Sequence, residues 1–148
     1  MIVGGVPYGS INGKAALFYG SPSGLNIAPN WAVTNDPAGS SFGYASAAGD
    51  VNGDGYADVL VGAPYYDSNG KTDVGRVYVY YGSASGLSAT ANWTAESDQA
   101  GANFGSLNTN IAGDFNKDGY GDAFISAHLA NHRIRILSPC HYHSLVPK

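Results

Sequence analysis

A chain of 148 residues that is 44% hydrophobic can bury one ordinary domain's core, which excludes wholesale disorder. Its 21 glycines and 11 tyrosines, set against only 12% charged residues, describe short strands joined by frequent turns and exclude an all-helical bundle. The net charge of −4, with 7 scattered Lys and Arg, leaves no basic stripe for a nucleic acid, and no apolar run reaches the roughly 18 residues of a membrane-spanning helix.

In chain order, Ile2-Val3-Gly4-Gly5 reads as an apolar strand, and Val3-Gly4-Gly5-Val6-Pro7-Tyr8 matches Val61-Gly62-Ala63-Pro64-Tyr65 with one inserted residue. The run Gly13-Lys14-Ala15-Ala16-Leu17-Phe18-Tyr19-Gly20-Ser21 returns 62 residues later as Gly75-Arg76-Val77-Tyr78-Val79-Tyr80-Tyr81-Gly82-Ser83. Asn30-Trp31 returns as Asn92-Trp93 and Ser41-Phe42-Gly43 as Asn103-Phe104-Gly105 at the same offset. Between them the sequence predicts a small-residue strand over 42–49 and an apolar strand over 58–63 that stops at Pro64. The clearest strand covers 76–81, with Val77 and Val79 on one face and Tyr78 and Tyr80 on the other. A weaker strand is expected over 90–95 around Trp93. About four strands per period of 62 residues, apolar on both faces, describe an array of β modules that cover one another.

Six of the ten Asp fall in two windows, Asp50-Val51-Asn52-Gly53-Asp54-Gly55-Tyr56-Ala57-Asp58 and Asp114-Phe115-Asn116-Lys117-Asp118-Gly119-Tyr120-Gly121-Asp122. Both read D-x-N-x-D-G-Y-x-D. Three carboxylates and an amide oxygen at such spacing supply the hard oxygen donors that Ca²⁺ takes. The candidate ligands are the side chains of Asp50, Asn52, Asp54 and Asp58 with the Tyr56 carbonyl, and those of Asp114, Asn116, Asp118 and Asp122 with the Tyr120 carbonyl. Gly55 and Gly119 permit the turn that folds them inward. Without a cation, two carboxylates about 5 Å apart repel by roughly 3 kcal/mol at an effective dielectric near 20, so metal binding is expected to couple to folding. An EF-hand requires Glu at loop position twelve, which here is Val61 or Ile125. An Asx-rich hairpin turn that binds nothing is the plain alternative, and two loops with the same ligand order favour Ca²⁺ over it.

Phe42-Gly43, the Asp50–Asp58 window and Val61-Gly62-Ala63-Pro64 together resemble the FG-GAP repeat of integrin α-subunit-like β-propellers, over residues 1–127. The resemblance implies an all-β fold of antiparallel four-stranded blades, with an acidic Ca²⁺ loop between the first two strands of each. It implies the C-terminal part of one blade over 1–41, a complete blade over 42–103 and the N-terminal part of the next over 104–127. Residues 128–148 are expected to be a divergent, poorly ordered tail, since the second loop is followed by Ile125-Ser126-Ala127-His128 rather than Val-Gly-Ala-Pro. About two and a half blades make an incomplete ring, so the remaining blades of a larger chain, or additional copies, are expected partners. The function implied is a calcium-binding segment of a cell-surface or secreted protein in adhesion, with an extracellular protein or glycan ligand. Loops of this kind suit extracellular calcium, with affinities of about 10⁻⁴–10⁻³ M. An accessory propeller of an extracellular hydrolase, or a non-functional fragment, is the alternative. Residues 1–7 show no basic region followed by an apolar stretch, so an export signal is expected outside this sequence.

Other signals are weaker. Cys140-His141-Tyr142-His143 with His128 and His132 has zinc-ligand chemistry but no repeat partner or strand pattern to hold a site, and one Cys makes no internal disulfide. Gly82-Ser83-Ala84-Ser85-Gly86 has Ala where a nucleophile elbow needs Ser and reads as a turn. Gly13-Lys14 lacks the earlier glycine of a phosphate loop. Asn92-Trp93-Thr94 is a glycosylation sequon whose counterpart Asn30-Trp31-Ala32 is not, so a shared structural corner is preferred, with Trp31 and Trp93 as packing anchors. No catalytic set stands outside the acidic loops, and no enzyme activity is expected of this segment.

Overall fold

The computed structural model describes residues 2–5, 13–34, 37–106, 109–127 and 134–136. Among them every regular element is a strand: β1 (Ile2–Gly5), β2 (Lys14–Leu17), β3 (Gly20–Ser21), β4 (Gly24–Leu25), β5 (Trp31–Val33), β6 (Ala45–Gly49), β7 (Asp58–Ala63), β8 (Arg76–Tyr80), β9 (Trp93–Ser97), β10 (Asn110–Gly113), β11 (Asp122–Phe124) and β12 (Ile134–Ile136). The central sheet runs β12-β9-β8-β7-β6, antiparallel throughout, and its last four members are a four-stranded propeller blade. On its flanks lie a three-stranded sheet, β1-β2-β5, and a two-stranded sheet, β10-β11. A two-residue hairpin, β3-β4, projects from the first.

The alternation of β8 sets the packing. Tyr78 and Tyr80, with Val59, Val61 and Ala63 of β7, face Ala15 and Trp31 of the preceding sheet. Trp31 meets Tyr80 edge-on at 5.0 Å between ring centres, and Phe42 meets Tyr78 at 5.4 Å. Val77 and Val79, with Leu60 and Ala95, face Phe104 of the following Phe-Gly turn and Ile111 of the following sheet. A strand apolar on both faces is thus covered twice, and β7 is buried along its whole length. Each large side chain so covered contributes about 1.5–3 kcal/mol.

Two strands begin later than the sequence predicts. In place of pairing from residue 42, Phe42 and Gly43 form a turn: Tyr44 N–H donates to the Ser41 carbonyl, Gly43 N–H to the Gly62 carbonyl, and pairing starts at Ala45. In the next copy Gly105 N–H donates to the Ser126 carbonyl. Strand β9 starts at Trp93 rather than near residue 90, because Ser88 and Asn92 use their N–H groups to close the turn on Tyr81 and Val79. It also runs further, through the polar residues Glu96 and Ser97, which are buried. Glu96 lies opposite Arg76 in the β8–β9 register and bonds its guanidinium, so a polar pair replaces apolar residues at the end of the ladder.

The Asn-Trp pairs form the same corner twice. The Asn30 side-chain oxygen accepts from Tyr19 N–H and that of Asn92 from Tyr81 N–H, both at 2.8 Å. Trp31 donates its indole N–H to the Ser88 carbonyl at 2.8 Å, fastening the first sheet to the central blade. Of the tail, only β12 lies among the described residues: Ile134, Arg135 and Ile136 pair with Ser97, Glu96 and Ala95 and add a fifth strand at the blade's outer edge. His128, His132, Cys140, His141 and His143, and the rest of the expected disordered tail, lie outside the described residues. Among the described residues no helix is long and apolar enough to cross a membrane.

Candidate metal centre

Each acidic loop joins the first two strands of a hairpin, β6 to β7 and β10 to β11. Such a connection must reverse the chain without neighbouring strands to satisfy its N–H groups, and Asp and Asn side chains do so locally. Asp50 Oδ1 accepts from Gly53 and Asp54 N–H at 2.7 and 3.2 Å, and its Oδ2 from Gly55 N–H at 2.8 Å. Asn52 Oδ1 accepts from Asp54 N–H at 3.0 Å, while its amide nitrogen donates to Asp54 Oδ2 at 2.9 Å. Asp54 Oδ1 accepts from Tyr56 N–H at 2.8 Å. Gly55 sits at φ +87 and Gly119 at φ +92, the left-handed backbone expected of both.

The second loop repeats the frame. Asp114 accepts from Asp118 and Gly119 N–H at 3.1 and 2.8 Å, Asn116 accepts from Asp118 N–H at 3.1 Å and donates to its carboxylate at 2.9 Å, and Asp118 accepts from Tyr120 N–H at 3.0 Å. The last acid of each window closes its loop, Asp58 on Val51 N–H at 2.9 Å and Asp122 on Phe115 N–H at 2.7 Å.

The two loops are not equivalent in their surroundings. Asp58 is fully buried, and its second oxygen accepts Gly82 N–H at 2.8 Å, tying the loop to the turn after β8. Burial pushes the Asp58 carboxyl above the usual range; the Gly82 and Val51 hydrogen bonds oppose that rise, and the charges of Asp54 and Asp50 add to it. Asp58 therefore senses the other two carboxylates of its loop. Asp114, Asn116, Asp118 and Tyr120 are exposed and Asp122 is half-buried. Lys117 takes φ +60 where the first loop has Gly53 at φ +72.

Among the described residues no three acidic or imidazole groups are gathered into a ready metal cage. The carboxylates are turned onto loop N–H groups instead. The donor set nevertheless fits a hard cation: every candidate is an oxygen, and a carboxylate oxygen that accepts one N–H keeps a second lone pair. Val51 and Gly82, whose N–H groups fix Asp58, escape a reading based on ligand types, because a backbone donor has no sequence signature. The recurrence of Gly20 as Gly82 was the one trace of it.

The FG-GAP repeat family model matches residues 42–80. Integrin alpha-PS2 of Drosophila melanogaster is 40% identical over 110 residues, which are 69% of this chain and 8% of that protein. Integrin alpha-4 of Xenopus laevis is 35% identical over 127 residues, 85% of this chain and 12% of that protein. The phosphatidylinositol-glycan-specific phospholipase D of Rattus norvegicus is 38% identical over 93 residues, 58% of this chain and 11% of that protein. The chain thus spans about a tenth of the length of the relatives it matches.

Proposed function

Because this chain belongs to the FG-GAP repeat family in an integrin α-like form, we propose that it is a calcium-binding segment of an extracellular or cell-surface β-propeller that serves adhesion. Residues 42–103 are its complete blade, with parts of its neighbours over 1–41 and 104–127 and the rest of the ring on further sequence or further copies. The observation that carries this reading is the pair of acidic loops, 64 residues apart, with the same ligand order and hydrogen-bond frame at the same hairpin of successive blades. Bound there, Ca²⁺ would neutralise the carboxylates and hold the hairpin bend. Asp50, Asn52, Asp54, Asp58 and the Tyr56 carbonyl would hold one ion; Asp114, Asn116, Asp118, Asp122 and the Tyr120 carbonyl would hold the other. The role is structural, and loops on the rim are left to meet a protein or glycan.

A thermal melt followed by tryptophan fluorescence in Ca²⁺, in Mg²⁺ and in chelator tests it. Free Ca²⁺ at 100 times the dissociation constant is expected to add about 2.7 kcal/mol per site. Equal melting in Ca²⁺ and chelator would refute it. The similarity to a phospholipase D favours a second reading, an accessory propeller on a longer enzyme. A catalytic domain in the full-length gene would select that reading.

A further inference from the structure

We propose that the two loops fill in order and are coupled, the Asp50 loop first and the Asp114 loop second, through the backbone contact between Gly121 and Asp50. The inference rests on the calcium reading above and adds the regulation of those sites.

The contact is direct. Gly121 N–H donates to the Asp50 carbonyl at 2.7 Å, across two successive blades. A Cβ at Gly121 would stand 2.4 Å from that carbonyl oxygen, so only glycine allows the approach. On the other side, a Cβ at Gly53 would stand 2.8 Å from the Gly119 carbonyl oxygen and 3.1 Å from Tyr120 Cδ1. The segment 119–121, which contains the candidate donor Tyr120 and precedes Asp122, therefore lies on segment 50–53, which contains Asp50 and Asn52. Fixing either segment removes freedom from the other, and the second binding event then loses less entropy.

The order follows from what holds each loop. Asp58 anchors the first loop with both oxygens, inside a five-stranded sheet. Among the described residues the second loop springs from a β10-β11 pair whose register shifts between Ile111 and Gly113, and it carries Lys117 in left-handed backbone where the first loop has Gly53. A loop already ordered loses less on binding. Charge works against coupling: each loop carries three Asp, and a cation in one weakens the field that draws a cation to the other. Salt weakens that effect and leaves the backbone contact unchanged, so coupling is expected to be more positive at about 0.5 M than at about 0.15 M salt.

The test is a Ca²⁺ titration of the ¹⁵N-labelled 148-residue chain at 0.15 and 0.5 M salt, following the amide signals of Gly55 and Gly119, one in each loop. Gly55 is expected to respond at lower Ca²⁺ than Gly119. Asp54→Asn should raise the Gly119 midpoint about 5-fold or more; the coupling is reciprocal, but because the Asp114 loop fills second, Asp118→Asn should raise the Gly55 midpoint by less. Gly121→Ala should diminish both effects, and the two Asp variants decide the matter should Gly121→Ala not fold. A Gly119 midpoint indifferent to Asp54→Asn, or Gly119 responding first, overturns the inference and leaves calcium binding standing. No response of either signal to Ca²⁺ overturns both.

Discussion

Replacing Arg76 by alanine tests how the end of the blade remote from the acidic loops is held. Glu96 is only 2% exposed and has Arg76 opposite it in the strand register. Arg76 Nε donates to Glu96 Oε2 at 3.0 Å, Nη2 bonds the same oxygen, and the Ser68 hydroxyl donates to Oε1 at 3.0 Å. The guanidinium also lies over the Tyr66 ring, 3.8 Å from its centre, so one side chain joins β8, β9 and the 65–75 loop. Burying two ions is costly, and their pairing roughly repays that cost; removing one leaves the other uncompensated, typically at about 3–5 kcal/mol. Arg76→Ala should therefore destabilise the folded chain by about 3–5 kcal/mol in urea unfolding followed by tryptophan fluorescence in saturating Ca²⁺. That is a large part of a domain's net stability of about 5–15 kcal/mol. The double change Arg76→Leu with Glu96→Leu should recover most of the loss, since no buried charge remains. A loss below about 1 kcal/mol for Arg76→Ala would refute the reasoning, and so would a double variant as unstable as the single one.

Two further outcomes separate loop from core. Asp58→Ala deprives Val51 and the buried Gly82 of their acceptor and should cost about 2–4 kcal/mol even in chelator, whereas Asp54→Ala, at an exposed position, should cost stability mainly when Ca²⁺ is present; parallel urea titrations in the two media distinguish them. Trp31→Ala removes an indole packed on Tyr80 and bonded to the Ser88 carbonyl and should cost about 3–5 kcal/mol by the same assay, with Asn92→Ala nearer 1 kcal/mol for its single bond to Tyr81 N–H.

Much of this architecture is legible in the residues because it rests on repetition and alternation. The two faces of β8 follow from Val77-Tyr78-Val79-Tyr80 alone, and the strand over 58–63 ends where Pro64 requires. The Phe-Gly turn is different: Phe42 looks like a strand residue, and only the Gly43–Gly62 and Tyr44–Ser41 hydrogen bonds show that it caps the sheet. Glu96 and Ser97 look like loop residues, and their place in β9 depends on an arginine 20 positions away. The acidic loops are legible as a donor set, yet their inequality is not. Two windows with one consensus read alike until the structure shows Gly82 behind Asp58 and a left-handed Lys117 in place of Gly53.

The two ends of the central blade are therefore held by different physics. At the hairpin end, backbone N–H groups are satisfied by carboxylates that repel one another, so this end should loosen when calcium is removed. At the other end, Arg76, Glu96 and Ser68 form a neutral cluster away from the candidate cation loops. Between them, β7 and β8 are packed on both faces by apolar residues. Local opening follows the least stable contacts first. In chelator, the amides of Gly53, Asp54 and Gly55 should exchange with solvent at least about tenfold faster than in Ca²⁺, a loss of about 1.4 kcal/mol of local protection, while those paired within β7 and β8 change little. Uniform acceleration along both strands would mean that the loop and the blade open as one unit, and that the carboxylate frame is part of the core rather than a hinge upon it.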